Sequence, residues 1–174
     1  MRPSFAIFSA FAASAFAAPL AARTDADLAK RQSVFSTKTY DEISISGGVA
    51  GNAEQEALSV LSGLDFNNLA SATEDDIEFL DSVNKICNEA ENAFNVAIDS
   101  ASGEEADALQ RGKIKNKVLK LEATMMRLMI EQAQGEDVAD KIQEETAKLN
   151  NNIQQDREEA GKESTFLSFD ASTS

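Results

Sequence analysis

Histidine is absent from the entire chain of 174 residues. That removes the commonest general base and the commonest neutral metal ligand. A single cysteine, Cys87, leaves no partner for an internal disulfide and, without histidine, no thiol–imidazole nucleophile. Tryptophan is missing and Tyr40 is the only tyrosine, so few aromatics are available to stack on sugar rings. Both prolines, Pro3 and Pro19, lie near the N-terminus, and nothing beyond them forbids long helices. No Asn-x-Ser/Thr sequon, P-loop, G-x-S-x-G or G-x-G-x-x-G pattern occurs. Past the first few dozen residues no apolar run approaches the length of a membrane span. The stretch Thr165 to Ser174 is polar, so a glycolipid-anchor tail is not expected. No catalytic set, metal site or cofactor is nominated, and the expectation is a protein that is not an enzyme.

The first 31 residues are the most informative. Met1-Arg2 is basic, residues 5–16 are apolar or small, and Ala15-Phe16-Ala17 has the small-x-small form of a signal-peptide cleavage site. A dibasic pair, Lys30-Arg31, follows just before Gln32. Ala17, Lys30 and Arg31 are therefore the expected processing residues, with a signal peptide over 1–17 and a propeptide over 18–31. The expected location is extracellular. Residues 32–174 keep 12 of the 16 basic and 28 of the 30 acidic residues, a formal charge of −16. Nucleic acid and anionic membrane surfaces are not expected as partners, because both need a basic footprint.

The pattern from Asn52 onward predicts an all-α fold, an antiparallel up-down bundle of about four helices over 52–162. Asn52 is the expected N-cap of a short first helix carrying Ala53, Ala57, Val60, Leu61 and Leu64 on one face. Ser71 with Glu74 reads as the capping box of the second helix. Its seam is Leu80, Val83, Cys87, Ala90, Phe94, Ala97 and Ala101, at alternating spacings of three and four. Ser102 with Glu105 reads as the box of the third, and Glu136-Asp137 opens the fourth, whose Val138, Ile142, Leu149 and Ile153 share a narrow face. Residues 32–51 read as an extended or flexible lead-in, and 163–174 as a disordered tail. Paired carboxylates are frequent, but three of the four clusters fall at expected helix starts, where the macrodipole favours them.

Two features carry functional weight. The third helix is apolar over roughly 200° of its circumference, wider than the usual stripe of about 100°. Either it is the central helix of the bundle, or Leu119, Met126, Met129, Ile130 and Ala133 form an apolar binding face. Cys87 is either a small buried hydrophobe or an intermolecular thiol. A monomer is expected, with an unidentified protein, cell-wall component or apolar ligand as partner.

Two segments, Thr39-Tyr-Asp-Glu-Ile-Ser-Ile-Ser-Gly-Gly-Val-Ala-Gly-Asn-Ala and Ser102-Gly-Glu-Glu-Ala-Asp-Ala-Leu-Gln-Arg-Gly-Lys-Ile-Lys-Asn-Lys-Val-Leu-Lys-Leu, resemble a family of fungal small secreted proteins. The resemblance covers most of residues 33–162. It implies secretion, a helical fold and a role at the cell wall or in host contact, as an effector would have. It brings no catalytic or binding residues. The architecture alone is also similar to that of fungal hydrophobic-surface-binding proteins, whose apolar faces imply a lipid carrier or surface-active role.

Overall fold

The computed structural model describes residues 32–174. The expected signal peptide, propeptide and processing residues Ala17, Lys30 and Arg31 lie outside them. Five α-helices are present among the described residues: α1 (Tyr40–Ile43), α2 (Ala53–Val60), α3 (Glu74–Ser100), α4 (Glu104–Ala133) and α5 (Ala139–Glu158). One 3-10 turn, Leu69–Ser71, precedes α3. The fold is an all-α bundle, as the periodicity predicts.

The long helices are antiparallel neighbours. Side-chain hydrogen bonds pair α3 with α4 in descending register: Asn84 donates to Thr124, Lys120 donates to Asn88 and Lys113 donates to Asn95. Arg111 near the start of α4 meets Glu159 just past the end of α5. The seam of α3 is buried at Leu80, Val83, Cys87, Ala90 and Phe94. Helix α4 is the central element. It touches α2, α3, α5 and the 3-10 turn, which explains its wide apolar arc.

The helix starts differ from expectation in an instructive way. Thr73, not Ser71, caps α3, in a reciprocal box with Asp76. Helix α4 begins after Gly103, which adopts a φ of 59°, and no side chain caps it. Asn52 occupies the cap position of α2, but its side chain makes no capping bond. Asp156 of α5 does that work instead: its Oδ2 accepts the Ala53 N–H at 2.9 Å. Asp156 is 2% exposed, so α5 reaches across to complete the first turn of α2.

Both flanking segments are ordered parts of the fold. Tyr40–Ile43 is one helical turn rather than a strand, because Thr39 and Glu42 form a capping box at its start. Tyr40 and Ile43 are fully buried. The expected disordered tail instead runs beside the lead-in: the Tyr40 N–H donates to the Ala171 carbonyl, and the Thr173 N–H to the Lys38 carbonyl, each at 2.8 Å. Thr39 and Ser172, and Val49 and Glu163, form isolated antiparallel bridges. Phe169 meets the Tyr40 ring edge-on at 5.8 Å. A polar composition does not prevent order where backbone groups find partners and two phenylalanines supply apolar area.

Candidate functional site

The two flanking segments and α2 border a wide, open surface groove of about 750 Å³. Ile45, Val60 and Phe166 supply its apolar lining, and Asp41, Gln55 and Glu56 are among its polar residues. Phe166 is 44% exposed.

Each wall is fixed by α4. Lys115 is fully buried, and its ammonium donates to the carbonyls of Gly47 at 2.6 Å and Val49 at 3.1 Å. The same ammonium pairs with Glu56 of α2 at 2.8 Å. A buried lysine is tolerable only when its charge is paired and its protons are bonded, and here both conditions hold. One residue thus joins the glycine-rich segment to α2. The glycines that read as flexible in the sequence are therefore pinned.

The other wall is the C-terminal strap. The Thr165 N–H donates to the Ala108 carbonyl at 3.0 Å, and the Ser164 N–H to the Gly48 carbonyl at 2.9 Å. Ser164 Oγ donates to the Ser46 carbonyl at 2.5 Å. Asp41 accepts from Ser168 Oγ at 2.7 Å and from the Phe169 N–H at 3.2 Å. Two glycines make room for this path. A methyl on Gly112 falls 2.3 Å from the Thr165 carbonyl oxygen, and one on Gly47 falls 3.0 Å from Phe166 Cβ. Gly112 lies in the middle of α4, where glycine is a poor helix former, so close approach accounts for it.

A buried polar chain links α1 to α4 and α3. Tyr40 donates its hydroxyl to Asn116 Oδ1 at 2.9 Å, and Asn116 Nδ2 donates to the Cys87 carbonyl at 2.9 Å. Burial, the largest influence, pushes the Tyr40 phenol up to about 12. Such a hydroxyl is a locked hydrogen-bond donor, unsuited to proton transfer near neutrality. Elsewhere on α4, Glu122 is buried, and desolvation followed by the charge of Glu54 raises its carboxyl to about 7.

The expected binding face is dispersed. Leu119 and Ile130 are fully buried and Met126 is 3% exposed, all three within the core. Met129 and Ala133 are on the surface. Cys87 is free and fully buried, and burial pushes its thiol up to about 12. An intermolecular disulfide at this position requires the α3–α4 seam to open. The groove escapes a reading of the sequence because Phe166 falls in the expected tail, and Asp41 and Ile45 in the expected flexible segment. The only sequence signal is the cluster of phenylalanines, Phe166 and Phe169, in an otherwise polar stretch.

Among the described residues no helix is long and apolar enough to cross a membrane. No group of three or more Cys, Asp or Glu among them is arranged to hold a metal ion. No curated protein and no solved structure matches the sequence. The model of one family, described as a domain of unknown function (DUF8454), matches residues 35–168, which take in the helices and both walls of the groove, and the chain belongs to that family.

Proposed function

We propose that this protein is a secreted, non-enzymatic binding protein that acts outside the cell, at a cell wall or on a host surface, as an effector does. The observation that carries the reading is the groove, with an exposed phenylalanine on its rim and both walls pinned to the central helix. Pre-organised recesses of this size with apolar and polar lining are the usual form of a binding site. The resemblance to fungal small secreted proteins and the leader-like N-terminus support the extracellular setting.

Charge selects the partner. Asp41 and Glu56 line the groove, Glu56 already paired with the Lys115 ammonium behind it, so Asp41 is the carboxylate left to a partner, and no lining residue is basic. Residues 32–174 carry a formal charge of −16. The occupant is a protein segment that brings an apolar side chain to Phe166 and Val60 and a basic side chain to the carboxylate edge. A lipid-carrier role through Leu119, Met126, Met129, Ile130 and Ala133 has less support, since three of the five are core residues.

The test is retention of wall and host extracellular proteins on immobilised protein, wild type against Phe166→Glu. Wild type is expected to retain a partner that the variant holds at least tenfold more weakly, with retention falling as salt rises. Equal retention by a folded variant removes the groove from the reading. No retention by wild type from either source defeats the binding reading. A hydrolytic activity abolished by substituting one Asp or Glu defeats its non-enzymatic part.

A further inference from the structure

Asp76 anchors the N-terminal end of the described residues. Its Oδ1 accepts Ser33 Oγ at 2.7 Å and the Val34 N–H at 2.8 Å. Its Oδ2 accepts the N–H and hydroxyl of Thr73, each at 2.8 Å. Burial raises this carboxyl, but these four bonds together outweigh it and hold the group below the usual range. Phe35 then stacks on Phe79 with ring centroids 4.4 Å apart. Gln32 stands one residue outside the anchor. It is exposed, at the edge of a recess of about 390 Å³ that also holds Val34, Leu64, Asn68 and Leu69.

Lys30-Arg31 directly precedes it. Cleavage after Arg31 places a free α-amine on Gln32, the residue type whose side-chain amide can close on that amine. We propose that Gln32 is a modification site: after processing, it cyclises to an N-terminal pyroglutamyl residue. The proposal rests on the reading that the protein is secreted and cut after Arg31. The α-amine nitrogen attacks the Gln32 Cδ carbon, and the new lactam bond forms as the Cδ–Nε2 bond breaks. Ammonia leaves with a proton from the attacking amine. No oxidant or second substrate is needed, and an intramolecular reaction of this kind has a large proximity advantage. An α-amine with an ordinary pKa of about 7.7–8.0 is partly in its nucleophilic form near neutrality.

The geometry suits the reaction. The ring uses only atoms of residue 32, so the Asp76 anchor on Ser33 and Val34 is undisturbed, and the exposed side chain has room to fold back. The product removes the positive terminal charge and sets a neutral ring beside Val34, Leu64 and Leu69. Aminopeptidases that grip a free α-ammonium lose their handle.

The experiment expresses the full-length protein from its own Met1 in a eukaryotic secretion host and recovers it from the medium. The N-terminal peptide is weighed and sequenced before and after pyroglutamyl aminopeptidase. The expected result is a peptide starting at residue 32, lighter than its encoded mass by one ammonia and unreadable by stepwise degradation until the enzyme is added. A Gln32→Ala variant, secreted alike, shows an open terminus throughout. A persistent free Gln32 overturns the cyclisation and leaves the processing reading standing. A terminus at any other residue overturns the processing reading, and the proposal with it.

Discussion

Gly112→Ala separates two physical expectations of opposite sign. In a solvent-facing helix interior, alanine in place of glycine is favourable by about 0.8–1.0 kcal/mol. At Gly112 the added methyl instead meets the Thr165 carbonyl oxygen at 2.3 Å, Phe94 Cε1 at 3.1 Å and the Ser46 carbonyl oxygen at 3.2 Å. Two of these atoms are backbone, so no rotamer change relieves the clash. Overpacking of a well-filled site costs about 1–3 kcal/mol. If the strap lifts away, it loses the bonds of Thr165 N–H to Ala108 and of Ser164 to Ser46 and Gly48, each worth about 0.5–1.5 kcal/mol. The smaller of these two costs sets the outcome. Less the propensity gain, the net destabilisation is up to about 2 kcal/mol, in place of the gain of about 0.8–1.0 kcal/mol that an open helix position would give.

Equilibrium urea unfolding measures it, with an unchanged m-value required for a clean comparison. A double-mutant cycle assigns the cause. In a protein truncated after Glu163 the Thr165 oxygen is gone, and most of the penalty at Gly112 is expected to go with it. A Gly112→Ala variant stabilised by the open-helix gain, or an equal cost with and without residues 164–174, refutes the strap as the reason for this glycine.

The remaining predictions address the caps, the buried acid, the core and the thiol. Asp156→Ala is expected to cost about 1–2 kcal/mol by uncapping α2 from outside, while Asn52→Ala costs little; equal losses in urea unfolding would overturn the tertiary cap. Glu122 titrates near 7 in the fold against about 4.3 when unfolded, so its contribution is fully present below pH 4 and is lost as pH rises through 7. Glu122→Gln should therefore flatten stability between pH 4 and 7 and stabilise the protein at pH 8 by roughly 1–3 kcal/mol; an unaltered pH profile would refute it. Met126→Glu should unfold or strongly destabilise the bundle and Met129→Glu should not, as thermal melts of the pair will tell. Cys87 should resist a thiol reagent in native buffer and react at once in guanidinium; fast native labelling would place it outside the seam.

What is legible in the sequence is whatever follows from local periodicity. The 3-and-4 spacing of Leu80, Val83, Cys87, Ala90 and Phe94 marks the α3 seam, and the wide arc of α4 marks it as central, because each is a property of one helix. The caps show where such reading stops. Ser71 with Glu74 and Thr73 with Asp76 have the same spacing, and it is Thr73 that stands at the cap of α3, its partner Asp76 also receiving Ser33 and Val34 from a segment over 40 residues away. Ala53 is capped from Asp156, a partner 103 positions on. The same blindness hides the groove. A buried lysine, a mid-helix glycine and a phenylalanine in a polar tail each look like noise when read alone. Lys115, Gly112 and Phe166 become one device only when the two flanking segments are laid over α4. One ammonium holds the inner wall, one missing methyl admits the outer, and the ring closes the rim. Charge at residue 115 and volume at residue 112 should therefore control binding at Phe166 without touching a partner. Lys115→Met keeps the volume and removes the charge, releasing Gly47 and Val49 and leaving Glu56 unpaired. The expected result is a folded protein with weakened retention of whatever Phe166 binds. Retention at the wild-type level in a folded Lys115→Met variant would show that the groove does not depend on its buried pin.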